Sequence, residues 1–262
     1  MLSEIKKHLS THPWQDKIQY FDSLASTNTY AKELANQGAP EGTIIIAEHQ
    51  TGGRGRLGRS FSSPAGMGIY LSVILRPDCY PQELMHLTCA TGVAVGDAVA
   101  TVTGQMPGIK WTNDLVLGKR KLGGILTELS INSSSGKVEW VVVGIGINCC
   151  QKSDDFPEDI RQIAVSLGIS PTHRPQLVAA LIHSLCDMRR HLLTEKQGIM
   201  EDFRHRCVTI NQEISILRGD TVRHGKAVAV DDDGGLIVAL SDGTRETVTS
   251  GEVSIRGMYG YL

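Results

Sequence analysis

Apolar residues along this chain recur with two periods, and the points where one gives way to the other mark out a long mixed region and a shorter β-rich tail. Residues 17–21 and 43–48 are compact runs of the strand type, and Gly68-Ile-Tyr-Leu-Ser-Val-Ile-Leu-Arg76, stopped by Pro77, reads as a central strand. Between the first two, the polar stretch 22–28 supplies a cap for a helix over 29–37 that Gly38 closes. Leu84, Leu87, Thr91, Val95, Ala98 and Val102 then fall at helical spacing within 81–103, behind a proline suited to a first helical turn.

After that helix the pattern returns to alternation. Residues 108–111 and 115–117 flank the turn Thr112-Asn-Asp114 and lead to a basic turn, Gly118-Lys-Arg-Lys121; residues 123–131 and 137–147 are joined by Asn132-Ser-Ser-Ser-Gly136. Both are hairpin patterns. Residues 157–206 read as helical, with Leu177, Leu181, Leu185 and Met188 on one stripe. From Gln212 onward the runs 214–217, 226–230, 236–240 and 245–248 alternate with turns such as Asp231-Asp-Asp-Gly-Gly235, the pattern of a small β-barrel. Successive hairpins require antiparallel pairing, which gives an α+β fold: a mixed, largely antiparallel sheet with helices on one face. The expected divisions are a short polar extension over 1–16, a main domain over 17–208 and the small β-domain over 209–262.

Composition narrows the function only a little. At 262 residues, 41% hydrophobic and 21% charged, the chain can bury one large core and a small second domain. A formal net charge of −2 offers no long-range attraction to nucleic acid or an anionic membrane, so any anion binding must be local. The six cysteines form no C-x-x-C pair, and no run approaches the roughly twenty apolar residues of a membrane span, which points to reduced thiols and the cytoplasm. The nine histidines include no H-E-x-x-H, so no metal site built by the protein alone is expected.

The local anion site is Thr51-Gly-Gly-Arg-Gly-Arg-Leu-Gly-Arg59, whose glycines let backbone N–H groups close on a ligand while Arg54, Arg56 and Arg59 supply planar donors for phosphate or carboxylate. It also fits G-x-G-x-x-G, but a dinucleotide fingerprint must open a helix, and Ser60-Phe-Ser-Ser-Pro-Ala-Gly66 is loop composition. Further polar clusters stand at element ends: Ser26-Thr-Asn28, Gln50, Lys110-Trp-Thr-Asn-Asp114, Lys121-Leu-Gly-Gly124 and Gly144-Ile-Gly-Ile-Asn148. Each has a structural explanation by itself. Ser26 and Thr27 are good helix caps, Asn113-Asp114 suits a turn, and Gly144 and Gly146 suit a bulge.

Taken in order, these motifs resemble the catalytic region of biotin protein ligases, over about Tyr20 to Leu262. The resemblance implies a class II aminoacyl-tRNA synthetase/biotin ligase-like sheet followed by an SH3-like barrel. It implies ATP-dependent formation of biotinyl-5′-AMP and transfer of biotin to a lysine of a biotin carboxyl carrier protein. Carried over residue by residue, Ser26, Thr27, Asn28, Gln50, Arg54, Gly55, Arg56, Lys121 and Gly124 would bind biotin. Arg56, Arg59, Phe61, Lys110, Trp111, Asn113, Lys121 and Asn148 would bind ATP. Lys110, Arg56 and Asp114 are the expected catalytic groups, with Mg²⁺ arriving with ATP near Asp114. The sequence departs from the common family pattern at Thr112, where proline is more frequent, and at Phe61, where tryptophan is. The resemblance is compatible with a homodimer; no membrane partner is expected, and no DNA partner, because 1–16 is too short for the DNA-binding unit of regulatory relatives. Lipoate protein ligase and a non-catalytic biotin-binding protein are the rival readings, the first weakened by the absence of that family's arginine and glycine motif.

Overall fold

The computed structural model describes residues 1–218, 221–249 and 252–255. Its first half contains α1 (Leu2–Leu9), β1 (Ile18–Leu24), α2 (Thr27–Asn36), β2 (Ile44–Gln50), β3 (Gly68–Leu75) and α3 (Leu87–Thr103). Two hairpins follow, β4 (Gly108–Lys110) with β5 (Asp114–Leu117), and β6 (Arg120–Ile131) with β7 (Val138–Asn148). Next come α4 (Arg174–His191) and α5 (Lys196–Arg206), then β8 (Glu213–Arg218), β9 (Thr221–Val230), β10 (Leu236–Leu240), β11 (Arg245–Val248) and β12 (Glu252–Ile255). The main sheet has the order β1-β2-β3-β7-β6-β5-β4. Its β1 and β2 run parallel with α2 as the crossover, and the other pairs are antiparallel.

Strand β3 is buried along its whole length, because its alternating side chains enter two apolar layers. On one face Leu71, Val73 and Leu75 join Val141, Val143 and Ile145 of β7 in the core shared with α3 and α4. On the other, Ile74 meets Ile45, Trp140 and Val142 beneath Ala31 and Ala35 of α2. Each fully buried Val, Leu or Ile contributes about 1.5–3 kcal/mol. The expectation of helices on one face therefore holds for α3 and α4, with α1 against α4 and α5 against α3, while α2 takes the opposite face. Alanines on α2 allow that second layer, and Trp140 Nε1 ties it down by donating to Asn36 Oδ1 at 2.9 Å. The stretch Pro81–Thr103 has the length and hydropathy of a membrane span, yet it is a mostly buried core helix.

Two further stretches differ from the sequence reading. Residues 1–16 hold α1, whose Ile5 and Leu9 lie one turn apart and are buried in the main core together with Trp14; so few apolar positions give little periodicity to read. Residues 157–173, expected as helix, are not helical apart from a single 3-10 turn at Pro171–His173. Their backbone groups bond to strand ends instead: Lys121 N–H to Ile163 O at 2.7 Å, Val165 N–H to Lys121 O at 2.9 Å and Leu167 N–H to Asn148 O at 3.1 Å.

The C-terminal strands form an antiparallel sheet in the order β11-β10-β9-β8-β12. Its Ile214, Ile216, Ala227, Leu236 and Val238 belong to the same apolar cluster as α3 and α4, so this sheet is docked on the main region through a continuous core. Of the β-domain expected over 209–262, residues 219–220, 250–251 and 256–262 lie outside the described residues.

Candidate functional site

α2 covers only part of its face of the main sheet. Beyond Val142 the same face of β7 carries Gly144 and Gly146, paired with Leu126 and Gly124 of β6. Here the second layer opens into a cleft with about 980 Å³ of space, open solvent included. Missing side chains make the floor. A Cβ on Gly144 would overlap the Asn28 amide, and one on Gly146 would stand 2.6 Å from the Phe61 ring.

The N-terminus of α2 forms one wall. Ser26 caps the helix, its Oγ accepting from Thr29 N–H at 3.4 Å. Thr27 donates its N–H (2.9 Å) and hydroxyl (3.1 Å) to Gln50 Oε1, and Gln50 Nε2 donates to Ser63 Oγ at 2.9 Å. Asn28, expected among the biotin ligands, lines the cleft with its amide bonded to the scaffold. Its Nδ2 donates to Leu126 O (3.1 Å) and Glu128 Oε2 (3.0 Å), and its Oδ1 accepts from Ser72 Oγ at 2.6 Å. Glu128 is bonded in turn by Lys32 Nζ at 2.5 Å. Burial would raise the Glu128 carboxyl, but the hydrogen bonds from Lys32 and Asn28 and the charges of Lys32 and Arg54 outweigh it and hold it below the ordinary carboxylate value.

The glycine loop forms the roof. Gly55 N–H donates to Arg59 O at 2.7 Å, Phe61 N–H to Gly53 O at 2.9 Å, and Arg54 bridges Ser60, so the loop is a narrow hairpin. Its tip turns through Leu57 (φ 56°) and Gly58 (φ 75°), leaving Leu57 70% exposed although it borders the cleft. A side-chain bond crosses to the far wall, from Arg56 Nη1 to Asn113 Oδ1 at 3.0 Å.

That far wall is the β4–β5 turn and the start of β6. Lys110 is buried at the end of β4 and lines the cleft. Asn113 Nδ2 donates to Ile125 O at 3.1 Å, and Lys121 Nζ is 2.7 Å from Asp114 Oδ1. Among the described residues the cleft thus gathers Arg54, Arg56, Arg59, Lys110 and Lys121 around one carboxylate, Asp114. Such a surplus of positive charge in a partly desolvated site suits a ligand bearing several anionic groups.

Of the residues expected from sequence, the cleft brings together Ser26, Thr27, Asn28, Gln50, Arg54, Gly55, Arg56, Arg59, Phe61, Lys110, Trp111, Asn113, Asp114, Lys121 and Gly124. Asn148 is not among its lining residues. Its side chain is buried, donating to Val165 O at 3.2 Å and accepting from Gln151 Nε2 at 3.1 Å, because the chain beyond β7 folds back over it. Sequence reasoning missed Ser63, Ser72, Glu128 and Lys32, which hold Gln50, Thr27 and Asn28 in place. The one local signal for this group was Ser72, a hydroxyl inside an otherwise apolar strand.

Known proteins are similar to this chain in sequence and in fold. Residues 20–148 match the biotin/lipoate A/B protein ligase family, and residues 209–256 match the biotin protein ligase C terminal domain. The bifunctional ligase/repressor BirA of Bacillus spizizenii is 36% identical over 251 residues, covering 93% of this chain and 76% of that protein. The biotin--[acetyl-CoA-carboxylase] ligase of Mycobacterium tuberculosis is 32% identical, covering 87% of this chain and 85% of that one. Among solved structures, the biotin protein ligase of Aquifex aeolicus in complex with biotin and ATP superposes with a TM-score of 0.75 at 28% identity, over 91% of this chain and 98% of that one. Such identity along nearly the whole length, with the C-terminal match added to the catalytic one, makes this chain a member of the biotin protein ligase family.

Proposed function

We propose that this protein condenses biotin with ATP to biotinyl-5′-AMP and pyrophosphate, then transfers the biotinyl group to a lysine of a biotin carboxyl carrier protein. The observation that carries this reading is the convergence of Ser26, Gln50, Arg56, Lys110, Asp114 and Lys121, from five separate segments, on one cleft. The ureido ring of biotin would lie at the α2 terminus, where the Thr27–Gln50 pair presents an amide-like edge already held in orientation. The carboxylate would then point toward Arg54 and Arg56.

In the first step a biotin carboxylate oxygen forms a bond to the α-phosphorus while the bond to the pyrophosphate oxygen breaks. Two anions approach, so the work of the protein is electrostatic, and Arg56, Arg59 and Lys110 stand where negative charge would spread. Magnesium would come on the phosphate oxygens; the protein offers it one carboxylate, Asp114, whose Oδ1 already holds Lys121. In the second step the acceptor nitrogen attacks the anhydride carbonyl and AMP leaves. The nitrogen must first lose a proton from an ammonium of free pKa about 10.4, and Asp114 is the carboxylate at hand to orient or accept it.

The test is biotin-dependent exchange of labelled pyrophosphate into ATP, with lipoate as the control acid. Exchange with biotin alone supports the reading; exchange with lipoate alone, or with neither, overturns it.

A further inference from the structure

Trp111 belongs to two places at once. It lines the cleft, between Lys110 and the Asn113-Asp114 turn, and its indole Nε1–H donates to Gly234 O in the C-terminal sheet at 2.8 Å. Its backbone N–H donates to Thr209 Oγ1, also at 2.8 Å. Both bonds are buried, where a lost partner is costly.

The acceptor end is fixed independently of Trp111. In the turn at 231–235, Asp231 Oδ1 accepts from Gly235 N–H (2.7 Å) and Asp233 N–H (3.0 Å), and the backbone closes between Asp231 N–H and Gly235 O at 2.9 Å. Ion pairs from Lys196 to Asp233 and from Arg204 to Asp232 bind the turn to α5. Gly234 has φ 84°, which favours glycine, and a Cβ there would stand 3.0 Å from Cys89 Sγ, so the turn packs closely against α3. The same turn, with Arg56 of the roof and Thr112 of the far wall, lines a second cavity beside the cleft.

We infer that the turn at 231–235 is a positioning element for the reaction, acting through Trp111. It holds the indole as a fixed post, and the post holds the strand end that carries Lys110 and Asp114, which pair across β4 and β5. Small displacements of groups that must face a transition state cost rate more than affinity. The inference rests on the reading of the cleft as a biotin-adenylating site.

The experiment compares wild type, Trp111→Phe, Asp231→Ala, Asp231→Asn and the Trp111→Phe/Asp231→Ala pair in biotin-dependent pyrophosphate exchange, well below each melting temperature. Asp231 lies outside the lining of both cavities, and the asparagine keeps an acceptor oxygen at Oδ1. Trp111→Phe and Asp231→Ala should each lower kcat about tenfold with KM for biotin within about twofold. Asp231→Asn should stay close to wild type, and the double variant should be no slower than the worse single one. Lowered melting temperatures with unchanged kcat, or effects that multiply in the double variant, would overturn the inference. Wild type without exchange overturns the reading of the cleft and the inference together; active wild type with unaffected variants overturns the inference alone.

Discussion

The floor and the roof of the cleft are built on opposite plans. The floor is taken together with the α2 wall that rests on it, where Thr27, Asn28, Gln50, Ser63 and Ser72 bond to one another or to β6. The roof is a hairpin with an exposed leucine at its tip, and Arg56 reaches from it to Asn113 on the opposite wall. A surface in which every polar group already has a partner is preorganised, and it selects a ligand by shape. A hairpin with few tertiary bonds belongs to the low-stability part of a fold, where ligand contacts decide how closed it is. On this comparison the floor sets which acid binds, and the roof sets how long the reactive intermediate is kept from water.

Lys110 gives the largest expected effect. It belongs to the preformed side, and Lys110→Ala should slow adenylate formation by roughly 10²–10³-fold, the scale for removing one group that stabilises transition-state charge. Rapid-quench measurement of the first turnover checks this. A rate within a few-fold of wild type would remove the electrostatic role.

Gly144→Ala ranks next, because the added methyl overlaps the Asn28 amide and displaces the clamp between α2 and β6. Biotin affinity should fall by at least about tenfold, since the amide cannot give way without losing its bonds to Glu128 and Ser72. Calorimetric titration with biotin alone reads it. The comparison breaks if Gly144→Ala binds biotin normally.

The roof is expected to show a different signature and a smaller effect. Arg56→Gly should lower the melting temperature by no more than about 3 °C, as for a half-buried loop residue that gives up its bond to Asn113, yet release biotinyl-AMP into solution about tenfold faster. Filter-binding of the labelled adenylate separates the two properties. Unchanged retention, or a large loss of stability, would mean that the loop is part of the rigid frame.

The sequence showed the roof better than the floor, for physical reasons. Arg54, Arg56 and Arg59 sit within one short loop, so their joint purpose is visible without knowledge of the fold. The floor depends on partners distant in the chain: Asn28 and Glu128 are 100 positions apart, and nothing in either neighbourhood announces the other. Asn148 is a case in which the fold adds a partner. Its place two residues beyond Gly146 puts it on the same side of the pleat. The segment whose Val165 O accepts from its amide carries a helical pattern in the sequence, which hides that partner. The same pattern conceals the backbone bonds that hold Lys121. α1 escaped because two buried side chains on one face, Ile5 and Leu9, are too few to set a period.

The smallest expected effect concerns acid, and it also separates floor from roof. Glu128 is held below the ordinary carboxylate value by Lys32 and Asn28 against the pull of burial. A carboxyl depressed in the folded state contributes stability that is fully present above its unfolded pKa and lost as pH falls through the folded one. The Lys32–Glu128 pair is about one-quarter exposed, so its contribution is on the order of 1 kcal/mol after screening. The melting-temperature gap between wild type and Glu128→Gln should therefore be constant from neutral pH down to about pH 5 and close below about pH 4. Glu48, likewise depressed by Tyr20 and Arg174, titrates in both proteins and cancels from the difference. Arginine stays charged throughout that range, so the roof keeps its charge while the Asn28 clamp loosens. Biotin affinity should weaken with acid in wild type more than in the glutamine variant, whose amide cannot be protonated there. A gap that persists to low pH would show that Glu128 serves the floor by its shape alone.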